Sequence, residues 1–250
     1  MPHHHAASRK RNNAADGRRG GAYAAAMGAY YQFCPVAKAM ELLDERWTML
    51  VLRELLMGSR RFNDLRRGLP RMSPALLSKR LHQLSVAGLV RVDGGLYALT
   101  DAGRELGPIL EAIGVWGARW IGELGDPDLD PKLLLWDMHR RVDHDAVPAG
   151  RSVVHFEFTD VGSAARYWWL VIAGREADIC DDDPGFPVTV TVHGTLRRMV
   201  EIWRGDVSWQ GGLRDGALRI DGPETMRRAL PAWFALASYA TAPRPTPALT

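Results

Sequence analysis

The chain has 250 residues, 46% hydrophobic and 24% charged, with a formal net charge of +3. This is the make-up of a soluble globular protein of one large or two ordinary domains. Cys34 and Cys180 are the only cysteines and stand in no paired motif, which speaks against a disulfide framework and fits a reducing cytoplasm. The longest uninterrupted apolar run, Tyr167–Ala173, is far short of the roughly 20 residues a membrane-spanning helix needs. No secretory leader pattern follows the basic N-terminal residues.

Charge is distributed unevenly. Residues 1–28 carry five Lys/Arg against one acid, residues 29–125 thirteen against ten, and residues 126–250 fourteen against eighteen. Between 46 and 80, nine bases meet two acids. The asymmetry predicts a basic half facing nucleic acid and an acidic half with another task.

Residues 1–28 have almost no large apolar side chains and are expected to be disordered. His3, His4 and His5 fit a mobile tail better than a metal site. Arg9–Lys10–Arg11 and Arg18–Arg19 suit either a phosphate-tracking arm or a solubilising tail. Cys34-Pro35 then opens a helix with Val36, Ala39, Met40 and Leu43 as its apolar set. A second helix spans Thr48–Met57, with Trp47, Leu50, Val51 and Leu55 facing a core and Gly58 closing it. A short helix capped by Asn63 follows, with Phe62 and Leu65 inside and Arg60, Arg61, Arg66 and Arg67 outside.

Ser73-Pro74 is a strong helix start, because the hydroxyl can accept from an orphan amide and Pro at the first position lacks a donor that has no use there. Leu77, Leu81 and Leu84 recur at spacings of four and three, forming one buried stripe. Ser73, Ala75, Ser78, Lys79 and His82 take the opposite face, which carries no carboxylate and does not repel a polyanion. An ordinary amphipathic helix with a solvated face accounts for this stretch equally well when it is taken alone. Gly88 ends the helix. Leu89–Val92 and Leu96–Leu99 flank Asp93-Gly94-Gly95, a hairpin signal. A hairpin directly behind such a helix makes a wing, with Arg91 near its base.

Thr100 caps a helix expected to run to about Leu124 with a kink at Pro108. Its seam of Leu106, Ile109, Leu110, Ile113, Trp116, Trp120 and Ile121 is too long for one small domain to bury. Dimerisation is the expected use, with packing on the C-terminal half as the competing one. A dimer would set two Ser73 helices about one duplex turn apart, on a near-palindromic operator.

After a linker at Pro127–Pro131 come a helix over 132–143 and strands at Arg151–Thr159, Ala165–Ala173, Glu176–Cys180 and Pro187–Val192. A helix at Thr195–Trp203, a Gly-rich turn, a strand at Ala217–Ile220 and a helix from Pro223 to Ala240 complete the pattern, which is α+β. The Pro-rich end is expected to be disordered.

No enzyme motif stands up: there is no P-loop, G-x-S-x-G, H-E-x-x-H or dinucleotide fingerprint. Neither a cofactor nor a metal is expected. His139 and His144 do not share a helix face, and Asp181–Asp183 reads as a solvated acidic turn. Cys34, at the cap position before Pro35, sits where a helix dipole favours thiolate, although a small buried hydrophobe would also suit the place. Phe156, Phe158, Trp168, Met199, Trp203, Trp209 and Phe234 are candidate walls of a hydrophobic ligand cavity; a filled core is the plainer alternative.

The stretches C-P-V-A-K-A-M-E-L-L-D-E-R-W-T-M-L-V-L-R-E-L-L-M-G, R-R-F-N-D-L, S-P-A-L-L-S-K-R-L and Y-A-L-T-D-A-G resemble the HxlR family of bacterial winged-helix regulators over residues 34–120. The resemblance implies homodimers on promoter DNA, often answering electrophiles or oxidants, and Cys34 matches the cysteine that many members use as sensor. Asp44-Glu45 departs from the family's usual glycines and is expected to alter a turn while leaving the DNA face intact. The stretches P-V-T-V-T-V-H-G-T-L-R-R-M-V-E-I-W-R-G and G-A-L-R-I-D-G-P resemble the sterol carrier protein-like fold, which implies an apolar tunnel for lipid-like ligands.

The expectation is a disordered tail at 1–28, a winged helix-turn-helix domain at 29–125, a sterol carrier protein-like α+β domain at 126–241 and a tail at 242–250. The functional expectation is a homodimeric, nucleoid-associated DNA-binding regulator, a repressor, with a hydrophobic effector and no membrane. Ser73, Ser78, Lys79 and His82 would read the major groove. Arg60, Arg61, Arg66 and Arg67 would hold phosphates, and Arg91 would serve the wing. The alternatives are a thiol sensor acting through Cys34, or a lipid carrier that keeps the winged helix only for dimerisation.

Overall fold

The computed structural model describes residues 29–121 and 123–243, so the expectations for both tails fall mostly outside the described residues. These residues divide into two compact units. The first ends at Gly107, and the second begins at Pro108 and takes in Arg67–Pro70.

The first unit has the order α1 (Pro35–Leu43), α2 (Thr48–Leu56), α3 (Phe62–Gly68), α4 (Pro74–Val86), β1 (Val90–Asp93), β2 (Leu96–Leu99) and α5 (Asp101–Glu105). Its core is built from Leu43, Val51, Leu52, Leu55, Leu65, Met72, Leu77, Leu81 and Leu84. Two expected core faces turn outward instead: Val36 is 67% and Leu50 39% exposed. Asn63 does not cap α3 but lies inside it, and Asp64 Oδ2 accepts from the Arg61 amide at 3.4 Å.

β1 and β2 pair antiparallel from Val90↔Leu99 to Asp93↔Leu96. Gly94 and Gly95 both have positive φ, 54° and 79°, the conformation a two-residue hairpin loop of this hand demands. Thr100 Oγ1 accepts from the Gly103 amide and so caps α5. Gly103 is pressed on the wing's base, where a Cβ would collide with the Leu89 carbonyl oxygen, so a larger residue does not fit.

The single helix expected from Thr100 to Leu124 is two. It breaks at Leu106 rather than Pro108, and α6 (Gly107–Trp120) resumes in the second unit. Pro108 is harmless there, because a residue in the first turn needs no amide partner. By the contacts it makes, nearly all of α6 groups with the second unit. Within the second unit, Gly114 faces Tyr239, and Arg119 Nε donates to the Pro243 carbonyl at 3.1 Å.

The second unit continues with α7 (Pro131–His139), β3 (Arg151–Phe158), β4 (Tyr167–Ala173), β5 (Glu176–Cys180), β6 (Val190–Gly194), α8 (Leu196–Trp203), α9 (Trp209–Arg214), β7 (Leu218–Asp221) and α10 (Glu224–Ala229). The five strands form one sheet in the order β5-β4-β3-β6-β7, with β3 and β6 parallel and every other pair antiparallel. One face carries Val154, Phe156, Phe158, Leu170, Ile172, Val192 and Ile220 into the core against Leu135, Met138, Met199, Ile202 and Trp233.

The other face is polar and aromatic. The His155 ring stacks 4.8 Å from Trp169 and 5.7 Å from Tyr167. The two ring nitrogens of His193 lie 2.8 Å from Glu157 and 3.0 Å from Asp221.

Several boundaries differ from expectation. The helix expected over 132–143 ends at His139, and Val142 makes a β-bridge to Phe234. The last helix stops at Ala229, and the chain tightens into a 3-10 turn at Leu230–Trp233, where Pro231 supplies no amide. The expected Gly-rich turn contains α9, capped by Ser208, whose hydroxyl oxygen accepts from the Gly211 amide at 3.0 Å.

Candidate nucleic-acid interface

The local chemistry of α4 follows its sequence. Ser73 is extended, and its Oγ accepts from the Leu76 amide at 3.3 Å. Ala87, Gly88 and Leu89 amides close the C-terminus onto Gln83, Ser85 and Leu84 carbonyls, with Gly88 at φ 75°. Leu77, Leu81 and Leu84 are fully buried, and Ser73, Ala75, Ser78, Lys79 and His82 are exposed. No aspartate or glutamate occurs between Ser73 and Val92.

The arginines expected around this helix are also exposed. Arg60 is placed by its main chain: its carbonyl accepts from the Tyr97 amide of β2 at 2.8 Å, tying the segment before α3 to the wing. Arg61 directly precedes α3, Arg66 lies within it, and Arg91 belongs to β1. Arg67 differs, because it falls in the short segment that groups with the second unit, where its guanidinium lies 5.4 Å over the Trp136 ring.

Sequence reasoning missed one residue on α4. Arg80 is only 6% exposed and lies on the leucine stripe. Its position, three after Leu77 and one before Leu81, was the available signal, since the 3.6-residue period puts position 80 on the buried side. Its two distant partners, Glu45 and the Arg46 carbonyl, could not be read from spacing.

Cys34 holds the cap position of α1 with Pro35 as first helical residue; it is half-buried and its side chain makes no cap hydrogen bond. Burial, with Asp178 and Asp181 nearby, pushes the Cys180 thiol above its ordinary value.

The seven candidate ligand-wall residues do come together. Phe156, Phe158, Trp168, Met199, Trp203, Trp209 and Phe234 share one core, each less than a tenth exposed. The Trp203 and Trp168 indoles donate to Asp137 and to the Ala165 carbonyl, both at 2.8 Å. The buried Trp209 and Trp233 Nε1 atoms have no acceptor among the described residues. A cleft of about 650 Å³ lies elsewhere, along the outer side of α8, lined by Leu124, Leu129, Arg197, Glu201 and Val207 among others. None of the seven lines it. Asp183 accepts from the Gly185 amide at 2.8 Å, shaping the acidic turn. Among the described residues no helix is long and apolar enough to cross a membrane.

A helix pair with a capped, carboxylate-free second helix, backed by a two-stranded wing, defines a winged helix-turn-helix protein. Residues 42–124 match the family model for the HxlR-like helix-turn-helix. The chain is 39% identical over 98 residues to YvaP of Bacillus subtilis, an uncharacterized HTH-type transcriptional regulator, covering 36% of this chain and 91% of the relative. It is 39% identical over 95 residues to the regulator sll1512 of Synechocystis, covering 35% of this chain and 70% of the relative. The chain belongs to the HxlR-like helix-turn-helix family. A solved ubiquinone synthesis protein, UbiJ-SCP2, is 18% identical, with TM-score 0.29 over 36% of this chain and 69% of that one. The α+β class of the C-terminal unit follows from its own strand order and the helices packed on it.

Proposed function

We propose that the chain is a homodimeric, DNA-binding transcriptional regulator, a repressor, whose C-terminal domain takes up a hydrophobic or lipid-like effector; it works by binding rather than catalysis. The observation that carries the DNA reading is the exposed face of α4, where Ser78, Lys79 and His82 stand on a helix without Asp or Glu and exposed arginines are close in sequence. Short side chains and a cation can meet base edges there, while Arg60, Arg61 and Arg66 serve phosphates.

Dimerisation is supported by the stripe on α6, where Ile109, Ile113, Trp116 and Trp120 are 50–60% exposed at spacings of four, three and four. Before and along α1, Tyr31, Phe33 and Val36 are exposed as well. Apolar area of this extent on a soluble protein marks an interaction surface.

The effector reading is supported by the aromatic core, where the Trp209 and Trp233 donors are what an acceptor-bearing apolar molecule would satisfy. Native mass spectrometry of the full chain from its own host tests it. A co-retained apolar molecule is expected, and the bare chain mass would remove this part of the proposal.

The DNA reading is tested by enriching duplexes from a random pool with the full chain. A near-palindrome with half-sites about one helical turn apart is expected. Replacing Arg61 and Arg66 by alanine should flatten the fall of log K with log salt by about 0.9 for each phosphate that is no longer neutralised. An unchanged slope would take both residues off the duplex.

A second reading makes Cys34 a thiol sensor, favoured by its cap position and by its half-buried side chain. Cys34→Ser should then abolish the release of DNA by quinones or aldehydes. Release that persists in this variant would discard the sensor.

A further inference from the structure

Arg80 belongs to the helix that reads DNA but is turned away from it. Nε donates to the Arg46 carbonyl at 3.2 Å, one terminal nitrogen to Gln83 Oε1 at 2.5 Å, and the other to the Glu45 carboxylate. Two of these three acceptors lie in the turn between α1 and α2, across 34 or 35 residues of sequence. That turn is itself fixed. Trp47 holds a left-handed φ of 79°, and the Tyr30 hydroxyl donates to Asp44 at 2.6 Å.

A buried guanidinium that loses its carboxylate keeps only the neutral Arg46 and Gln83 acceptors, and the helix relieves the unbalanced charge by letting Arg80 swing toward water. Contacts to base edges tolerate errors of about 0.5 Å, whereas phosphate contacts from long side chains adapt. A clamp on Arg80 therefore matters for reading bases more than for holding DNA.

We infer that Glu45 is a positioning residue for sequence recognition: through Arg80 its carboxylate fixes the pose of α4 on the duplex. The Asp44-Glu45 pair, expected only to alter a turn, then acts on the DNA face from behind. The inference rests on the DNA-binding reading above.

The test uses the full chain, a duplex enriched from a random pool by the unaltered protein, and a shuffled duplex of the same composition. Glu45→Gln keeps shape and an acceptor but removes the charge. It should weaken the enriched duplex about tenfold or more while leaving the shuffled duplex and the salt slope unchanged. Glu45→Asp should recover part of the loss.

Glu45→Ala combined with Arg80→Met removes both charges and guards against a variant that fails to fold. With thermal unfolding restored by circular dichroism, it should still read poorly. Equal losses on both duplexes, no loss at all, or full recovery of specific binding in the double variant would each overturn the inference. If the unaltered protein enriches no duplex, the DNA reading falls, and this inference with it.

Discussion

Replacing Ile113 and Trp116 by aspartate is expected to leave a monomer in sedimentation velocity and to weaken a two-half-site duplex on the order of 10²–10⁴-fold, the avidity that linked sites supply. Binding to a single half-site should hardly change. The two side chains are 52% and 58% exposed, so the fold loses little when they become charged. The opposite side of α6 is the one in use within the unit, where Gly114 meets Tyr239. A charge placed in a dimer seam is uncompensated in both copies. A dimer that survives both aspartates would move the interface elsewhere, with Tyr31, Phe33 and Val36 next in line.

Lys79→Ala is expected to cost the preferred duplex about 1–3 kcal/mol, tenfold to more than a hundredfold, if its ammonium meets a base edge. Lys79 is exposed on α4, one turn after Ala75 and beside Ser78, with no carboxylate on its helix to compete for it. Fluorescence anisotropy on the enriched and shuffled duplexes separates the possibilities. A loss confined to the enriched duplex assigns base reading, and an equal loss on both makes Lys79 a phosphate contact.

Much of this architecture is legible in the chain because its signals are local. Ser73-Pro74 and Gly88 delimit α4 within a residue, since a cap and a left-handed stop act on neighbouring amides. Gly94-Gly95 sets the wing, as both residues must take positive φ. Alternation in Arg151–Phe158 and Tyr167–Ala173 gives the two central antiparallel strands and their buried faces. Errors gather where one local signal outweighed another. Periodicity carried the last helix past Pro231, and a high glycine content hid α9 behind a turn.

By itself, then, the sequence determined where α4, the wing and the central strands lie, and that α4 presents a bare face, because hydrogen bonds to near neighbours and a 3.6- or 2-residue period decide those things. Tertiary structure decided which apolar faces find a core and which charges meet. Val36 and the α6 stripe carry the same kind of side chain as Leu77 and Leu81, yet among the described residues they stay exposed. Arg80 meets Glu45 across 35 residues, and His193 meets Glu157 across 36. Burial and charge pairing depend on which distant elements pack together, and residue spacing along one element does not contain that information.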